Sequence, residues 1–387
     1  MRVCLVTTAF PRWPGDGDGA FVGELARALT RHGIRVRVVA AHSPGLPVYG
    51  KIGDIEIVRP RYWWPERLEM LRREVGGLPV VWRKYPLARV QILSFFLMHA
   101  FVTARYAQSC DVVHAQWTLS AGAACLGRWV HRCPVLVTVY GSDILQVPRH
   151  PIGAWLTWLV LSCCDRITAV SHALQKRVVQ LGVSPERVLV VPIGVDVTKF
   201  LPADDVHREN LILFVGSLIE RKGVRYLLEA MPQILSVFPE YRLVIAGDGP
   251  EIISLKQRAV ELGISRQVDF VGFQSQDNVR VLMQRARVVV LPSLEEGMGA
   301  VLVEAMACGT PVVASRVDGI QDVVTEEVGV LVSPANPMEL AEGIRTVLFD
   351  PIRWREYSYN ARLRAVKYYN WDIIVQRFIQ IYQSLVG

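Results

Sequence analysis

The sequence predicts an α/β fold of two domains, each built around a parallel β-sheet. Short runs rich in β-branched residues recur along the chain and alternate with stretches of helical periodicity, the pattern of strands buried on both faces between helices. Many of these runs end in loops that contain glycine, as expected where the strands of such a sheet end. The chain has 387 residues, of which 51% are hydrophobic. This length is too great for one core and fits two.

The predicted first domain covers 1–200. It opens with a strand over Met1–Thr8, a glycine-rich loop, a helix over about 21–32 and a second strand over 34–40. Further strands are predicted at 110–114, 135–139, 167–171 and 188–192. The first loop lacks G-x-G-x-x-G, and no ribose-binding acid ends the next strand, which disfavours a dinucleotide-binding dehydrogenase.

The predicted second domain covers 201–367, and the polar, turn-rich segment 196–210 is expected to link it to the first. Its strands are predicted at 211–215, 242–246, 268–273, 288–291, 311–314 and 330–332, with helices over 300–308 and 338–349. The last segment, 368–387, is predicted to be a helix, because its apolar residues at 371, 374, 375, 378, 381, 382 and 385 follow helical spacing.

Charge is divided unevenly along the chain. Residues 1–200 hold 24 Lys and Arg against 13 Asp and Glu, a net of +11, and the remainder holds 19 against 23, a net of −4. A basic first half is expected to meet an anionic partner or surface.

The seven cysteines show no C-x-x-C pair and no metal-ligand spacing, and several lie in apolar runs. They are interpreted as small buried residues of a protein in the reducing cytoplasm. The short apolar start, MRVCLVTTAF, does not predict a signal peptide. The longest apolar runs, 92–104 and 152–164, have 13 residues each, whereas a membrane span needs about 20. The protein is predicted to be cytoplasmic, either soluble or peripheral on the inner face of the membrane.

The most informative stretch is Val288–Val324, which has the pattern of a strand, a loop, a helix and a second strand. Ligands of open parallel sheets bind beyond the carboxyl ends of the strands, so the loop 293–299 is expected to face a crevice. The amides of Gly299, Ala300 and Val301 would lie at the start of the helix. Free amides there suit a phosphate or a diphosphate.

Two glutamates flank this predicted anion site, Glu296 on the loop and Glu304 in the second turn of the helix. A carboxylate only accepts hydrogen bonds, so both are suited to hold hydroxyl groups on either side of an anion. A nucleotide sugar has this layout of ribose, diphosphate and hexose. The alternative is that Glu296 is a loop charge and Glu304 a solvated helix residue.

The whole pattern, PS-x-x-E-G-x-G-x-x-x-x-E-A-M-A-x-G-T-P-V-V-A-S, closely resembles glycosyltransferase family 4, a group of retaining transferases with the GT-B fold. The resemblance covers nearly the full chain and is strongest from 211 to 324. It implies two Rossmann-like domains that face a central cleft, with the C-terminal helix crossing back to the first domain. It also implies that Glu296 holds the hydroxyls of the donor sugar and Glu304 those of the ribose. The donor-binding residues of this loop would be Glu296, Gly297, Met298, Gly299, Ala300 and Glu304.

A second resemblance to the family lies in Gly216–Gly223, GSLIERKG. The family has G-R-L-x-x-x-K-G here, and its Arg and Lys hold the diphosphate. Lys222 matches, Ser217 replaces the usual Arg, and Arg221 is the expected substitute. The backbone near Phe273 is expected to contact the base. The alternative is that Lys222 is a surface residue before a glycine.

In the first domain the sequence departs from the family. Tyr140 stands where the family usually has the His of H-G-x-D, and a tyrosine can donate to a sugar oxygen but does not carry a proton at neutral pH. His114 is expected to approach the same cleft, with a structural role as the alternative. Gly19 is implied to approach the diphosphate, or else is a turn glycine. Asp16 and Asp18 spell D-x-D but are interpreted as turn formers, so no metal and no cofactor are predicted.

The segment 59–106 interleaves basic and aromatic residues. The basic ones are Arg59, Arg61, Arg67, Arg72, Arg73, Arg83, Lys84, Arg89 and Arg105, and the aromatic ones include Tyr62, Trp63, Trp64, Trp82, Tyr85, Phe95, Phe96, Phe101 and Tyr106. Nucleic acid is not expected as a partner, because no nucleic-acid-binding motif accompanies them. An anionic membrane surface or a lipid-diphosphate acceptor fits better. Helices that cover a core with solvated outer faces are the alternative.

The predicted function is therefore transfer of a hexose, with retention, from a UDP- or GDP-linked sugar to a glycan or lipid-linked acceptor in cell-surface polysaccharide or glycolipid synthesis. One alternative is a glycoside hydrolase that uses Glu296 and Glu304 as its carboxyl pair, about 5 to 9 Å apart. The other is a non-catalytic protein that binds a nucleotide sugar or lipid, suggested by the departures at Tyr140 and Ser217.

Overall fold

The computed structural model describes residues 1–13, 15–71, 81, 85–203 and 208–387. The chain forms two compact units. Unit 1 comprises Met1–Pro192 together with Ile374–Gly387, and unit 2 comprises Ile193–Ile373. The first unit thus ends eight residues before the predicted boundary at 200.

Unit 1 contains a sheet of eight strands in the order β3-β4-β2-β1-β5-β6-β7-β8. All neighbouring strands are parallel except β3 and β4, which form an antiparallel hairpin at one edge. The strands are β1 (Arg2–Thr7), β2 (Arg35–Ala40), β3 (Tyr49–Ile52), β4 (Ile55–Val58), β5 (Val112–Gln116), β6 (Val135–Val139), β7 (Arg166–Ala169) and β8 (Val188–Val190). The central strands β1, β5 and β6 are almost wholly buried, which is why their sequences lack the alternation of a one-sided sheet.

The helices of unit 1 cover this sheet. They are α1 (Ala20–Arg31), α2 (Pro86–Tyr106), α3 (Trp117–Leu126), α4 (Arg128–His131), α5 (Ser142–Leu145), α6 (Pro151–Cys163) and α7 (His172–Gln180). In α1 the buried residues Val22, Leu25, Ala26 and Leu29 recur at spacings of three and four, which places them on one face toward the sheet. By contrast, α6 has only Thr157 and Leu161 buried.

Unit 2 contains a parallel sheet of six strands in the order β11-β10-β9-β12-β13-β14. The strands are β9 (Leu211–Val215), β10 (Arg242–Ala246), β11 (Val268–Gly272), β12 (Val288–Leu291), β13 (Val312–Ser315) and β14 (Gly329–Val332). The strand order reverses beside β9, so the loops after β9 and β12 leave neighbouring strands at the carboxyl edge. Such a reversal is the usual place for a ligand in a doubly wound sheet.

The helices of unit 2 are α8 (Val224–Leu235), α9 (Ile252–Glu261), α10 (Gln276–Arg285), α11 (Ala300–Ala307), α12 (Ile320–Val323), α13 (Pro337–Phe349) and α14 (Pro351–Tyr369). The last helix, α15 (Trp371–Val386), begins in unit 2 and continues into unit 1. Its Tyr382 is fully buried there and contacts His114 of β5. Both predicted parallel-sheet domains are therefore present.

Candidate functional site

Glycine contacts hold two loops together at the carboxyl edge of the sheet in unit 2, one after β9 and one after β10. A Cβ atom on Gly247 would lie 1.8 Å from the carbonyl oxygen of Gly216, and one on Gly249 would lie 2.4 Å from that of Leu218. The amide of Leu218 donates to the carbonyl of Asp248 at 2.8 Å. No side chain fits between backbones this close. These loops are therefore fixed against each other.

The loop after β9 is fixed in the same way against the loop after β12. Gly223 has a left-handed φ of 64°, and a Cβ there would lie 2.1 Å from the carbonyl oxygen of Pro292. The amide of Leu294 donates to the carbonyl of Arg221 at 2.7 Å. Since Lys222 lies between Arg221 and Gly223, its backbone position is set by both contacts.

Lys222 and Glu296, each singled out from the sequence, form an ion pair between these two loops. Their side chains are 15% and 12% exposed, and the hydroxyl of Ser293 donates to Glu296 at 3.3 Å. Burial acts to raise the pKa of Glu296, but the charge and hydrogen bond of Lys222, with Arg221 and Ser293, outweigh burial and lower it. Glu296 is thus ionised at neutral pH and accepts hydrogen bonds only.

The helix α11 begins directly after this loop. Gly299 precedes it with a left-handed φ of 81°, and no side-chain hydrogen bond caps this start. The amide of Leu302 bonds back to the carbonyl of Gly299 at 2.9 Å, and Ala300 and Val301 are half-buried rather than enclosed. The first amides of such a helix, with its dipole, attract an anion.

The other predicted donor-binding residues of unit 2 differ in what they expose. Glu304 is half-buried in the second turn of α11, Ser217 is half-buried after β9, and Gly297 is buried. The side chain of Met298 is 2% exposed, and its sulfur accepts the Ile193 amide at 3.1 Å, so only its backbone is left for a ligand.

Phe273 projects from the loop after β11 with 63% of its surface exposed. Ser217, which replaces the usual arginine, carries no charge. Arg221 lies close enough to Glu296 to help lower its pKa, so its positive charge acts on the loop after β12.

In unit 1 the carboxyl edge of the sheet carries a cluster of three aromatic rings. The ring of Tyr140 lies 4.7 Å from that of Phe21 and 5.0 Å from that of Trp117, between ring centres. The hydroxyl of Tyr140 donates to Oε1 of Gln116. Burial, then the charge of Asp143, raises the pKa of Tyr140, so this tyrosine stays protonated at neutral pH.

Gly19 immediately precedes α1 with a left-handed φ of 64°, and a Cβ there would lie 2.4 Å from the carbonyl oxygen of Ala9. Glycine is required by this turn whatever binds nearby. Asp16 is buried and accepts hydrogen bonds from the side chain of Arg12 and the amide of Asp18. These contacts order the loop, as expected for turn formers.

Sequence comparison gives matches along most of the chain. Residues 201–364 match glycosyl transferases group 1, and residues 15–199 match Glycosyltransferase Family 4. An MMP alpha-(1->4)-mannosyltransferase of Mycolicibacterium hassiacum is 32% identical, covering 100% of this chain and 99% of its own. An uncharacterized glycosyltransferase of Methanocaldococcus jannaschii is 31% identical, covering 99% and 98%.

The chain belongs to glycosyltransferase family 4. It is accordingly a glycosyltransferase, an enzyme, with the GT-B fold. The sucrose-phosphate synthase structure from Thermosynechococcus elongatus has the same fold, with a TM-score of 0.83 at 24% identity over 99% of this chain and 98% of that one.

One expected site residue of this glycosyltransferase, His114, proves to be structural. It is fully buried within β5, where its Nδ1 pairs with the hydroxyl of Tyr382 and its Nε2 with the hydroxyl of Thr138, both at 2.7 Å. Burial lowers the pKa of His114 to about 3. The expectation that His114 reaches the reacting groups was wrong, because both ring nitrogens are already paired inside the core.

This geometry predicts a pH dependence of stability. His114 is neutral in the folded enzyme but binds a proton below about pH 6.5 when unfolded, so acid favours unfolding. Between pH 6.5 and 3 the free energy of unfolding should fall with a slope of up to about 1.4 kcal/mol per pH unit from this residue. Chemical denaturation at several pH values should show a shallower slope for His114→Asn. Equal slopes would contradict the assignment.

Sequence reasoning assigned no role to Asp143, although it ends the motif that contains Tyr140. Oδ1 of Asp143 accepts hydrogen bonds from the backbone amides of Tyr140 and Gly141, at 3.2 and 3.0 Å. Burial raises the pKa of Asp143 to about 6, against the opposing effect of these hydrogen bonds. The sequence signal for Asp143 was its match to the Asp of the family motif H-G-x-D. No motif pointed to Gln116, which pairs with the hydroxyl of Tyr140.

The structure also divides the basic and aromatic segment 59–106. Arg72, Arg73, Trp82, Arg83 and Lys84 lie outside the described residues. Arg59, Tyr62 and Phe95 are buried, and Arg59 donates to the carbonyl of Pro11. These three belong to the core rather than to a binding surface.

Among the described residues, no group of three or more His, Cys, Asp and Glu side chains could hold a metal ion.

Proposed function

We propose that this enzyme transfers a hexose, with retention, from a UDP- or GDP-linked sugar to a glycan or lipid-linked acceptor in the cytoplasm, in cell-surface polysaccharide or glycolipid synthesis. The main support is the placement of an ionised Glu296 beside the open start of α11. An anion and a set of hydroxyl groups can be held side by side there, as a nucleoside diphosphate sugar requires.

In this proposal each part of the donor has its own group. The amides of Gly299, Ala300 and Val301 hold the diphosphate, Glu296 holds hydroxyls of the hexose, and Glu304 holds the ribose. Lys222 lies against Glu296 and can turn to the diphosphate, where its charge would stabilise the charge that grows on the leaving group.

The remaining donor contacts are supplied by backbone and loop residues. Gly297 and Met298 contribute main chain, Ser217 and Arg221 line the loop after β9, and the backbone near Phe273 meets the base. Gly19 is proposed as a further contact to the diphosphate.

The transfer itself needs no protein base in this proposal. The bond between the anomeric carbon and the diphosphate oxygen breaks, and the acceptor oxygen bonds to that carbon on the same face. The acceptor proton passes to the leaving phosphate oxygen. The raised pKa of Tyr140 fits this route, since Tyr140 could only orient a ring or a hydroxyl.

The hydrolase alternative is disfavoured by the enzyme's membership of a glycosyltransferase family. It would also require Glu304 to act as the protonated acid of the pair, since Lys222 keeps the pKa of Glu296 low. The relative 32% identical to this chain is named a mannosyltransferase, which supports a hexose as the transferred group.

A thermal-shift screen of UDP, GDP, ADP and their hexose derivatives tests the donor. A ligand at 100 times its Kd should add about 2.7 kcal/mol to the free energy of unfolding, so one base should raise the melting temperature more than the others. Glu304→Ala should weaken binding of the selected nucleotide, since it removes the ribose contact.

The control for this screen is Glu342→Ala, which changes an exposed glutamate on α13 of the same unit. The donor assignment fails if no nucleotide stabilises the protein, or if Glu304→Ala binds like the wild type. Binding without transfer to any offered acceptor would instead favour the non-catalytic alternative.

A further inference from the structure

Unit 1 exposes large apolar side chains on three of its helices. They lie on α2, on and beside α4, and on α6: Val90, Leu93, Leu97, Phe101, Leu126, Trp129, Val130, Ile152, Trp155, Leu156 and Leu159. We call this set the apolar surface. Trp129 is 91% exposed and Ile152 is 74% exposed. A contiguous set of large exposed apolar residues indicates an interaction site, whereas single ones do not.

The three helices are neighbours. A Cβ on Gly122, within the buried α3, would lie 3.2 Å from Phe96 of α2 and 3.3 Å from Val160 of α6. The chain then passes from α3 to α4 at Gly127, where a Cβ would lie 3.1 Å from Ala104 of α2. Thus α2 and α6 both pack against α3, with α4 beside α2, and Arg128 of α4 donates to the carbonyl of Cys163 at the end of α6.

The helix α6 is the most unusual part of the apolar surface. Its sequence, PIGAWLTWLVLSC, contains no charged residue, yet most of its side chains are exposed. A helix of a globular protein normally places polar residues on its outer face. Here the outer face carries Ile152, Trp155 and Leu156, and exposing such residues to water costs free energy that a partner would recover.

Charge in this part of the chain favours an anionic partner. Between 86 and 166 the chain has six arginines and three acidic residues, of which Asp143 is buried and Asp165 pairs with Arg128. Besides Arg128, the arginines are Arg89, Arg105, Arg132, Arg149 and Arg166. A protein partner would need acids matched to these positions, but an anionic bilayer supplies negative charge everywhere. Tryptophans and arginines around an apolar face are typical of interfacial helices.

The structure also favours lying on a bilayer over crossing it. Among the described residues, one helix, Ala88–Ser109, is long and apolar enough to span a membrane, but 44% of that window is buried inside the protein. Its buried residues include Gln91, His99 and Thr103, and α2 packs against α3 through Phe96. This helix is therefore part of the unit's core on one side.

We propose that α2, α4 and α6 form a peripheral docking surface for an anionic lipid bilayer, with Trp129 and Trp155 inserted at the interface and the arginines at the head groups. This places the main contact on α6, beyond the segment 59–106 in which the sequence suggested it. Docking to lipid does not require the donor site, so this proposal can be tested independently of the proposed transferase reaction.

Co-sedimentation of the full-length protein with vesicles tests the proposal. Vesicles of phosphatidylcholine with 30% phosphatidylglycerol, and of phosphatidylcholine alone, are compared at low and high salt. Binding should require the anionic lipid and weaken as salt rises. The double variant Trp129→Ser/Trp155→Ser should bind the anionic vesicles with roughly tenfold lower affinity, because it removes the two inserted rings.

A matched control is Phe349→Ser/Ile352→Ser, which removes two large apolar residues that are 77% and 69% exposed in unit 2. This control should bind like the wild type, and all three proteins should melt at the same temperature. The proposal is overturned if the wild type does not sediment with anionic vesicles, or if the Trp129/Trp155 variant binds as well as the control. It is equally overturned if the Trp129/Trp155 variant instead dissolves a dimer of the wild type, since the surface would then join two copies of this chain.

Discussion

Glu296→Ala should reduce turnover by about 100-fold or more while nucleotide affinity falls little. Loss of the carboxylate leaves the sugar free to move from its reactive position, and misplacement of this kind costs about two orders of magnitude. The nucleotide contacts proposed for the amides of α11 and for Glu304 remain in place. Steady-state kinetics with the selected donor, together with nucleotide titration by thermal shift, measures the two effects.

Two further variants control this experiment. Glu295→Ala removes the neighbouring acid of the same loop and should leave turnover close to that of the wild type. Glu296→Gln keeps the size of the side chain and a hydrogen bond to Lys222, so it separates the loss of charge from an altered loop. An equal loss of turnover and nucleotide affinity in Glu296→Ala would show that Glu296 shapes the whole site rather than holding the sugar.

Gly223→Ala should both destabilise unit 2 and abolish most of the activity. A left-handed φ costs alanine about 1 to 2 kcal/mol, and its Cβ would lie 2.1 Å from the carbonyl oxygen of Pro292. Relieving that overlap must separate the loops that carry Lys222 and Glu296. Thermal denaturation should show a loss of about 3 kcal/mol or more, and turnover should fall by about 100-fold.

The matched control is Gly263→Ala in the same unit. Gly263 also has a left-handed φ, of 70°, but a Cβ there meets nothing within 4 Å. Alanine at this position should lower the free energy of unfolding only by the cost of a left-handed backbone conformation, about 1 to 2 kcal/mol, and should leave turnover unchanged. If the two variants lose the same stability and the same activity, the contact between Gly223 and Pro292 does not hold the site together.

The strands of the two sheets could be predicted closely because burial on both faces leaves a continuous apolar run in the sequence. The runs at 135–139, 211–215, 242–246 and 288–291 coincide with β6, β9, β10 and β12. The hairpin of β3 and β4 was not predicted. Its first strand, YGKI, is half exposed at the sheet edge, so it lacks an apolar run, and antiparallel pairing with β4 defines it.

The ion pair between Lys222 and Glu296 shows how much of the site a motif can predict. The motif identified both residues and the helix start, but not that they contact each other. That contact depends on glycine-mediated packing between loops 74 residues apart in sequence. His114 shows the opposite limit. His114 was predicted to end its strand, but β5 continues to Gln116, so its ring lies within the core, and its partner Tyr382 is 268 residues away in the sequence.

The helix α15 has a consequence for how the polypeptide is made. Unit 1 is completed only by residues 374–387, whose Tyr382 fills the core beside His114. During synthesis the core of unit 1 can therefore be completed only after almost the entire chain has left the ribosome. A fragment that stops at Pro192 would lack the buried Tyr382 of α15. We expect proteases and chaperones to act on such a fragment, even if its strands pair as they do in the full chain.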